Sequence, residues 1–253
     1  GDPSIGEARL ISAVTASGDL EKLPLGLEFR LAPGWKIYWR TPGEAGLPPR
    51  IDLLVDGDPV ESQIKWPVPK RFNAFGFDNY GYDNTVILPL DVLGFTAGTT
   101  LQLTGQVEAL ACAEICVPLG GTVKMTMPAG PALVSADARA MAQAAALVPR
   151  QGGHASLVPD HLWQVADRLY MRFAAPVPVD DIFIEGIDGV AFKRPQLDGG
   201  DAVIAIEATS LPDLAGRDIT ATIVAGNEFI EQRLTVSAAG PKPAATKPGW
   251  MIF

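Results

Sequence analysis

The chain has 253 residues, a formal net charge of −9 and 47% hydrophobic side chains. That length suits one large domain or two ordinary ones with a sizeable buried core. The acidic balance excludes a nucleic-acid partner, which needs a basic stripe to release counterions, and argues against docking on anionic lipid.

Twenty-six Gly and 22 Pro suit short strands joined by turns. Residues 5–130 read as one all-β unit. Segments 9–14 and 25–31 alternate apolar and polar side chains, as half-buried strands do. Segment 35–40 is rich in aromatics and follows a Pro33-Gly34 turn. Segments 86–90, 101–107 and 122–127 are further strand candidates. Turn signals between them point to a sandwich. Residues 131–156 form a connector, with an Ala-rich helix expected over 136–147, capped by Ser135 and stopped by Pro149. Residues 157–238 return to strands, at 169–173, 181–185, 202–206, 219–224 and 229–236, and read as a second, smaller sandwich. Residues 239–253 are a Pro-rich tether that turns apolar at Gly249-Trp250-Met251-Ile252-Phe253. That ending fits either a frayed terminus or the interfacial edge of a membrane helix. The expected fold class is all-β: two immunoglobulin-like β-sandwiches joined by a short helical connector.

The two cysteines, Cys112 and Cys116, stand four apart, and three roles compete for them. A structural staple gains most by closing a long loop, and this loop is short. A metal site would have only two soft ligands here, because His154 and His161 lie far along the chain. Cu(I) held with Met125 or Met127 remains an option. The third role is redox exchange, which a short-loop disulfide suits. No cofactor and no metal are expected. Glu108 and Glu114 are the nearest charges in sequence, and acidic neighbours disfavour a thiolate. Thiols of ordinary or raised pKa are therefore expected. His154 and His161 read as surface or internally satisfied histidines.

Four segments carry a family resemblance: Gly34-Trp35-Lys36-Ile37-Tyr38-Trp39-Arg40 running on through Gly46-Leu47-Pro48-Pro49; Trp66-Pro67-Val68-Pro69-Lys70-Arg71-Phe72; Gly76-Phe77-Asp78-Asn79-Tyr80-Gly81-Tyr82; and Cys112-Ala113-Glu114-Ile115-Cys116-Val117-Pro118. Together they resemble the N-terminal periplasmic domain of the DsbD family of thiol:disulfide interchange proteins, and most closely its ScsB branch. One departure is the spacing: the better-known branch separates its cysteines by more residues. The resemblance implies an immunoglobulin-like fold and a protein-disulfide reductase relay in the bacterial periplasm, tethered to the inner membrane. A membrane-embedded redox domain of the same protein would reduce the pair. The pair would then pass electrons to periplasmic thioredoxin-fold proteins, of the disulfide isomerase or peroxiredoxin-like kind. By the same resemblance Cys116 attacks and Cys112 resolves, Tyr38 lies beside the pair with Glu114, and the terminal apolar residues match the start of the first membrane helix.

The resemblance also implies a cap loop over the pair, matching residues 72–82, with Phe75 at its tip and Phe72 and Phe77 close by. The residues themselves allow a cap. Aromatics are mixed there with Asn73, Gly76, Asn79 and Gly81, which permit backbone excursions. They equally allow rings packed between two strands. Two further functions stand beside the relay: a non-catalytic immunoglobulin-like binding module with a structural disulfide, and a Cu(I)-binding envelope protein.

Overall fold

Alternation along residues 23–31 produces a strand with seven of its nine residues buried, and it lies inside the first sheet. In a computed structural model, residues 2–74, 76–152, 157–175, 177–198 and 200–241 are described. They divide into two units, Gly1–Arg150 and Gln151–Phe253.

The first unit contains β1 (Gly6–Ser12), β2 (Leu23–Leu31), β3 (Lys36–Gly43), β4 (Arg50–Val55), β5 (Asp58–Pro59) and β6 (Glu61–Ile64). It continues with β7 (Lys70–Ala74), β8 (Phe77–Asp83), β9 (Thr85–Leu93), β10 (Leu101–Cys112), β11 (Cys116–Met127) and the helix α1 (Ala138–Ala146). One sheet runs β1-β2-β9-β6; the other runs β5-β4-β10-β3-β8-β7, with β11 paired to β10. Leu25, Leu27 and Phe29 of β2, Leu88 and Leu90 of β9, Ile37 and Trp39 of β3 and Leu101 and Leu103 of β10 are all buried. Burial of such side chains is the main driving force for closing the sandwich.

The outer face of the first sheet is covered by α1, where Met141 and Ala144 pack on Ile11 and Ile87. Gly26 makes this approach possible, since a Cβ there would lie 2.5 Å from Met141 Sδ. The helix starts later than the 136–147 pattern implies. Ser135 donates its hydroxyl to the Ser12 carbonyl and accepts from the Asp137 N–H at 3.1 Å. This ties Ser135 to β1 and delays the first helical turn until Ala138.

Residues 72–82 also differ from a free loop. Residues 72–74 and 77–82 belong to a hairpin of β7 and β8, in register from Lys70↔Gly81 to Ala74↔Phe77 and continuous with β3. Tyr80 and Tyr82 turn into the core, and the Tyr82 hydroxyl donates to the Pro67 carbonyl at 2.7 Å. Gly81 serves close packing there, since a Cβ would lie 2.1 Å from the Ile37 carbonyl, and the Asn73 side chain accepts from the Gly76 N–H at 3.2 Å in the turn.

The chain passes between units inside the two-residue strand β12 (Arg150–Gln151). The second unit contains β13 (Pro159–Val165), β14 (Arg168–Phe173), β15 (Asp181–Glu185), β16 (Val190–Phe192), β17 (Gln196–Asp198), β18 (Asp201–Ala208), β19 (Asp218–Ala225) and β20 (Glu228–Thr235). One sheet runs β13-β14-β18-β16 with β17 also on β18; in the other, β15, β19 and β20 pair in turn. Leu169, Met171, Ile182, Ile204, Ile219 and Ile223 are among its core residues.

Candidate active site

β10 and β11 form a long hairpin whose register runs without a break from Leu101↔Met127 to Cys112↔Cys116. Residues 113–115 close it, with the Ala113 N–H donating to the Ile115 carbonyl at 3.0 Å. Cys112 and Cys116 are thus the last cross-strand pair, with Cα atoms 4.1 Å apart, and they are joined by a disulfide. Such close approach is typical of antiparallel pairs that do not exchange backbone hydrogen bonds, where side chains meet directly.

The two sulfurs have unequal surroundings. Cys112 also pairs with Lys36 of β3, so it lies inside the sheet and is only 1% exposed. Cys116 opens β11, which pairs only with β10 among the described residues, and it is exposed.

On β10 the odd-numbered positions face the core and the even-numbered ones face outward, so the disulfide lies on the outer face of its sheet. Cys112 would be open there if other strands did not cover it. Tyr38 of β3 supplies the cover: its hydroxyl donates to Cys112 Sγ at 3.0 Å and lies 3.8 Å from Cys116 Sγ. Burial pushes the phenol pKa up, which keeps it a protonated donor. Phe72 of β7 reaches across β8 to contact Tyr38, with ring centroids 5.7 Å apart. It can do so because Gly81 lies beneath it; a Cβ there would come within 3.0 Å of the Phe72 ring. Lys36 Nζ lies 5.6 Å from the Phe72 centroid and donates to the Gly34 carbonyl.

The loop after β3 closes the other side of Tyr38. Gly46, with φ at +120°, presses on the phenol ring, and a Cβ there would be 2.3 Å from a ring carbon. Buried Asn79 anchors this loop by accepting from the Ala45 N–H at 3.0 Å. Glu44 accepts from the Asp78 N–H at 2.7 Å.

Of the residues singled out from sequence, Cys112, Cys116, Tyr38 and Phe72 come together. Phe77 is 46% exposed, and Phe75 lies outside the described residues. Glu114 is exposed in the turn between the cysteines. Glu108 pairs with Arg50 at 3.0 Å, so the cross-strand neighbour of Cys112 carries a positive charge, on Lys36. Met125 and Met127 lie toward the far end of β11, about 30 Å or more from Cys116, and join no ligand set with it. His154 lies outside the described residues; His161 meets the Ala239 carbonyl at 3.0 Å in the second unit. Sequence reasoning gave Lys36 and Gly46 no role and read Asn79 and Gly81 only as residues of a mobile loop. Gly46 and Gly81 sit inside the motifs quoted above, but only the fold reveals what each approaches.

Beside the disulfide runs a groove of about 480 Å³ lined by Leu47, Pro48, Leu110 and Pro118, with Arg50 and Glu108 also in its wall. Leu47 and Ile115 are 64% and 62% exposed.

The first unit is thus an immunoglobulin-like sandwich with a cross-strand disulfide at a hairpin end, one sulfur exposed and one buried. Residues 7–128 match the family model described as thiol:disulfide interchange protein DsbD, N-terminal, and the first unit belongs to that family. Across the whole chain, the fold matches the crystal structure of the N-terminal periplasmic domain of ScsB from Proteus mirabilis. That match has a TM-score of 0.73 at 22% identity, covering 94% of this chain and 95% of the other. The reduced N-terminal domain of DsbD from Neisseria meningitidis aligns over 53% of this chain and 91% of its own, at 11% identity and a TM-score of 0.32. Residues 147–239 match a domain of unknown function (DUF8393). No curated protein matches the chain.

Proposed function

We propose that this chain is a periplasmic electron relay, tethered to the inner membrane, in which Cys112 and Cys116 shuttle between disulfide and dithiol. A membrane-embedded redox domain of the same protein reduces the pair. The dithiol then reduces disulfides of thioredoxin-fold partners, of the disulfide isomerase or peroxiredoxin-like kind. Cys116 exchanges with the partner and Cys112 resolves the mixed disulfide.

The observation that carries this reading is the asymmetry of the pair: Cys116 is exposed on an edge strand while Cys112 is 1% exposed and hydrogen-bonded. Thiol–disulfide exchange needs one sulfur open to attack and another held to leave and return. The apolar groove beside Cys116 suits a polypeptide partner more than a small thiol. A staple role has little support, because the bridge closes a turn whose register is already set by the eleven other cross-strand pairs of the hairpin.

The test is trapping. A Cys112→Ala protein in envelope extract is expected to accumulate mixed disulfides through Cys116. Absence of any adduct would overturn the relay. A potential below about −300 mV would instead mark a structural bridge.

A further inference from the structure

The geometry points to Tyr38 as a catalytic residue of this exchange: its hydroxyl stabilises the thiolate that forms on Cys112 and so makes Cys112 the leaving and resolving sulfur. This rests on the exchange reading above and assigns the group that gives the reaction its direction.

The phenol hydroxyl donates to Cys112 Sγ at 3.0 Å and stands 3.8 Å from Cys116 Sγ, so it favours one sulfur of the pair. Among the described residues no other side chain donates to either sulfur. The Lys36 ammonium is directed to the Gly34 carbonyl and the Phe72 ring. Glu108 is paired with Arg50. The phenol is held on three sides: by β3 itself, by the Phe72 ring at 5.7 Å and by Gly46, where any Cβ would strike the ring. Tyr38 is 1% exposed, so water competes little for the hydrogen bond. Such a bond is strongest to an ionised acceptor in a buried place.

The chemistry follows. An incoming thiolate attacks Cys116 Sγ, the exposed sulfur. A new bond forms between that thiolate and Cys116 as the Cys112–Cys116 bond breaks. The electron pair leaves on Cys112 Sγ as a thiolate, which accepts the Tyr38 hydrogen bond and later takes a proton from solvent. A leaving thiol of lower pKa departs faster. A second thiolate then attacks the sulfur of the first group, forms a disulfide with it and releases Cys116 Sγ as a thiolate, completing a two-electron reduction. In the forward relay the same bond favours the Cys112 thiolate that attacks Cys116 and frees the reduced partner.

Tyr38→Phe removes the hydroxyl and keeps the ring. Reduction of the oxidised protein by glutathione is expected to slow about tenfold, the scale of losing one hydrogen bond to a charged group. In a Cys116→Ala background, the Cys112 thiol pKa is expected to rise by about one unit when Tyr38→Phe is added. A merely packing role would leave that pKa in place. An unchanged or faster reduction with an unmoved Cys112 pKa overturns the proposal. Should the substitution unfold the protein, the unaltered chain provides the readout. The Tyr38 Cζ resonance, labelled with carbon-13, is expected to shift on reduction, and a fixed resonance overturns the assignment. Glutathione reports on Tyr38 without any partner, so a failed trapping experiment and a failed Tyr38 experiment remain distinct results.

Discussion

Each unit carries a row of aromatic and cationic side chains on the outer face of one sheet, and the two rows end differently. In the second unit Trp163 stacks on its cross-strand partner Tyr170, centroids 5.2 Å apart and planes within 15°. Arg172 lies 5.3 Å over Trp163 and ends in two hydrogen bonds to Asp201, at 2.7 and 2.6 Å. The backbone at Gly240 lies against the indole, where a Cβ would be 2.7 Å from Nε1. That row is closed: its cation is neutralised and its largest ring is covered. In the first unit the row runs Lys36, Phe72, Tyr38 and stops on a disulfide whose outer sulfur is exposed. Cross-strand aromatic pairs stabilise sheets wherever they occur. What separates the two rows is a hairpin end that places a reactive bond at the edge of one of them.

The contrast can be broken or sharpened experimentally. The largest effect is expected from Cys116→Ser, which abolishes exchange of the first unit with glutathione or any partner, measured as loss of all mixed disulfide. Trp163→Ala is expected to destabilise the second unit by about 3–5 kcal/mol, as for other large buried aromatics, while glutathione reduces the disulfide at an unchanged rate. Denaturant unfolding and stopped-flow reduction on the same sample separate these two readouts. Gly46→Ala forces a methyl into the Tyr38 ring and is expected to cost about 1–3 kcal/mol in denaturant unfolding of the first unit. Phe72→Ala uncovers Tyr38 without removing its hydroxyl, and a few-fold faster reduction by glutathione is expected. A rate that stays put would remove Phe72 from the shielding row.

The smallest effect concerns the base of the β7–β8 hairpin. Lys70 donates to Asp83 at 2.8 Å, and this hydrogen bond is the chief reason the Asp83 carboxyl is held below the ordinary range. A depressed carboxyl stabilises the fold above its unfolded pKa, and that contribution is lost as pH falls through the lower folded value. Both side chains are largely exposed, so the pair contributes at most about 0.5 kcal/mol. Asp83→Asn is therefore expected to lower stability slightly at neutral pH, with the difference vanishing in strong acid, as followed by pH-dependent unfolding.

Much of this was legible in the sequence, and the limits were specific. Alternation located β2, β9, β10, β15 and β19 to within a few residues, because burial of one sheet face imposes it directly. The motifs around the cysteines identified the exchange family, although the cysteine spacing departs from that of its better-known branch. The hairpin at 70–83 was harder to see, since its Gly and Asn residues match loop chemistry and its aromatics are divided between core and outer face. The acidic setting expected for the cysteines also differed: Glu108 turned out to be engaged by Arg50, and Lys36 became the register neighbour of Cys112.

The sequence by itself determined the strand content and the pair able to form a disulfide, because local pattern and residue chemistry suffice for those. Only the tertiary structure decided that Cys112 is buried and Cys116 exposed. That difference depends on β3 pairing with the end of β10, and on Tyr38, Gly46, Phe72 and Gly81 meeting there from different strands and a loop. Register between strands distant in sequence is a property of the closed sandwich. No local pattern in the chain specifies it.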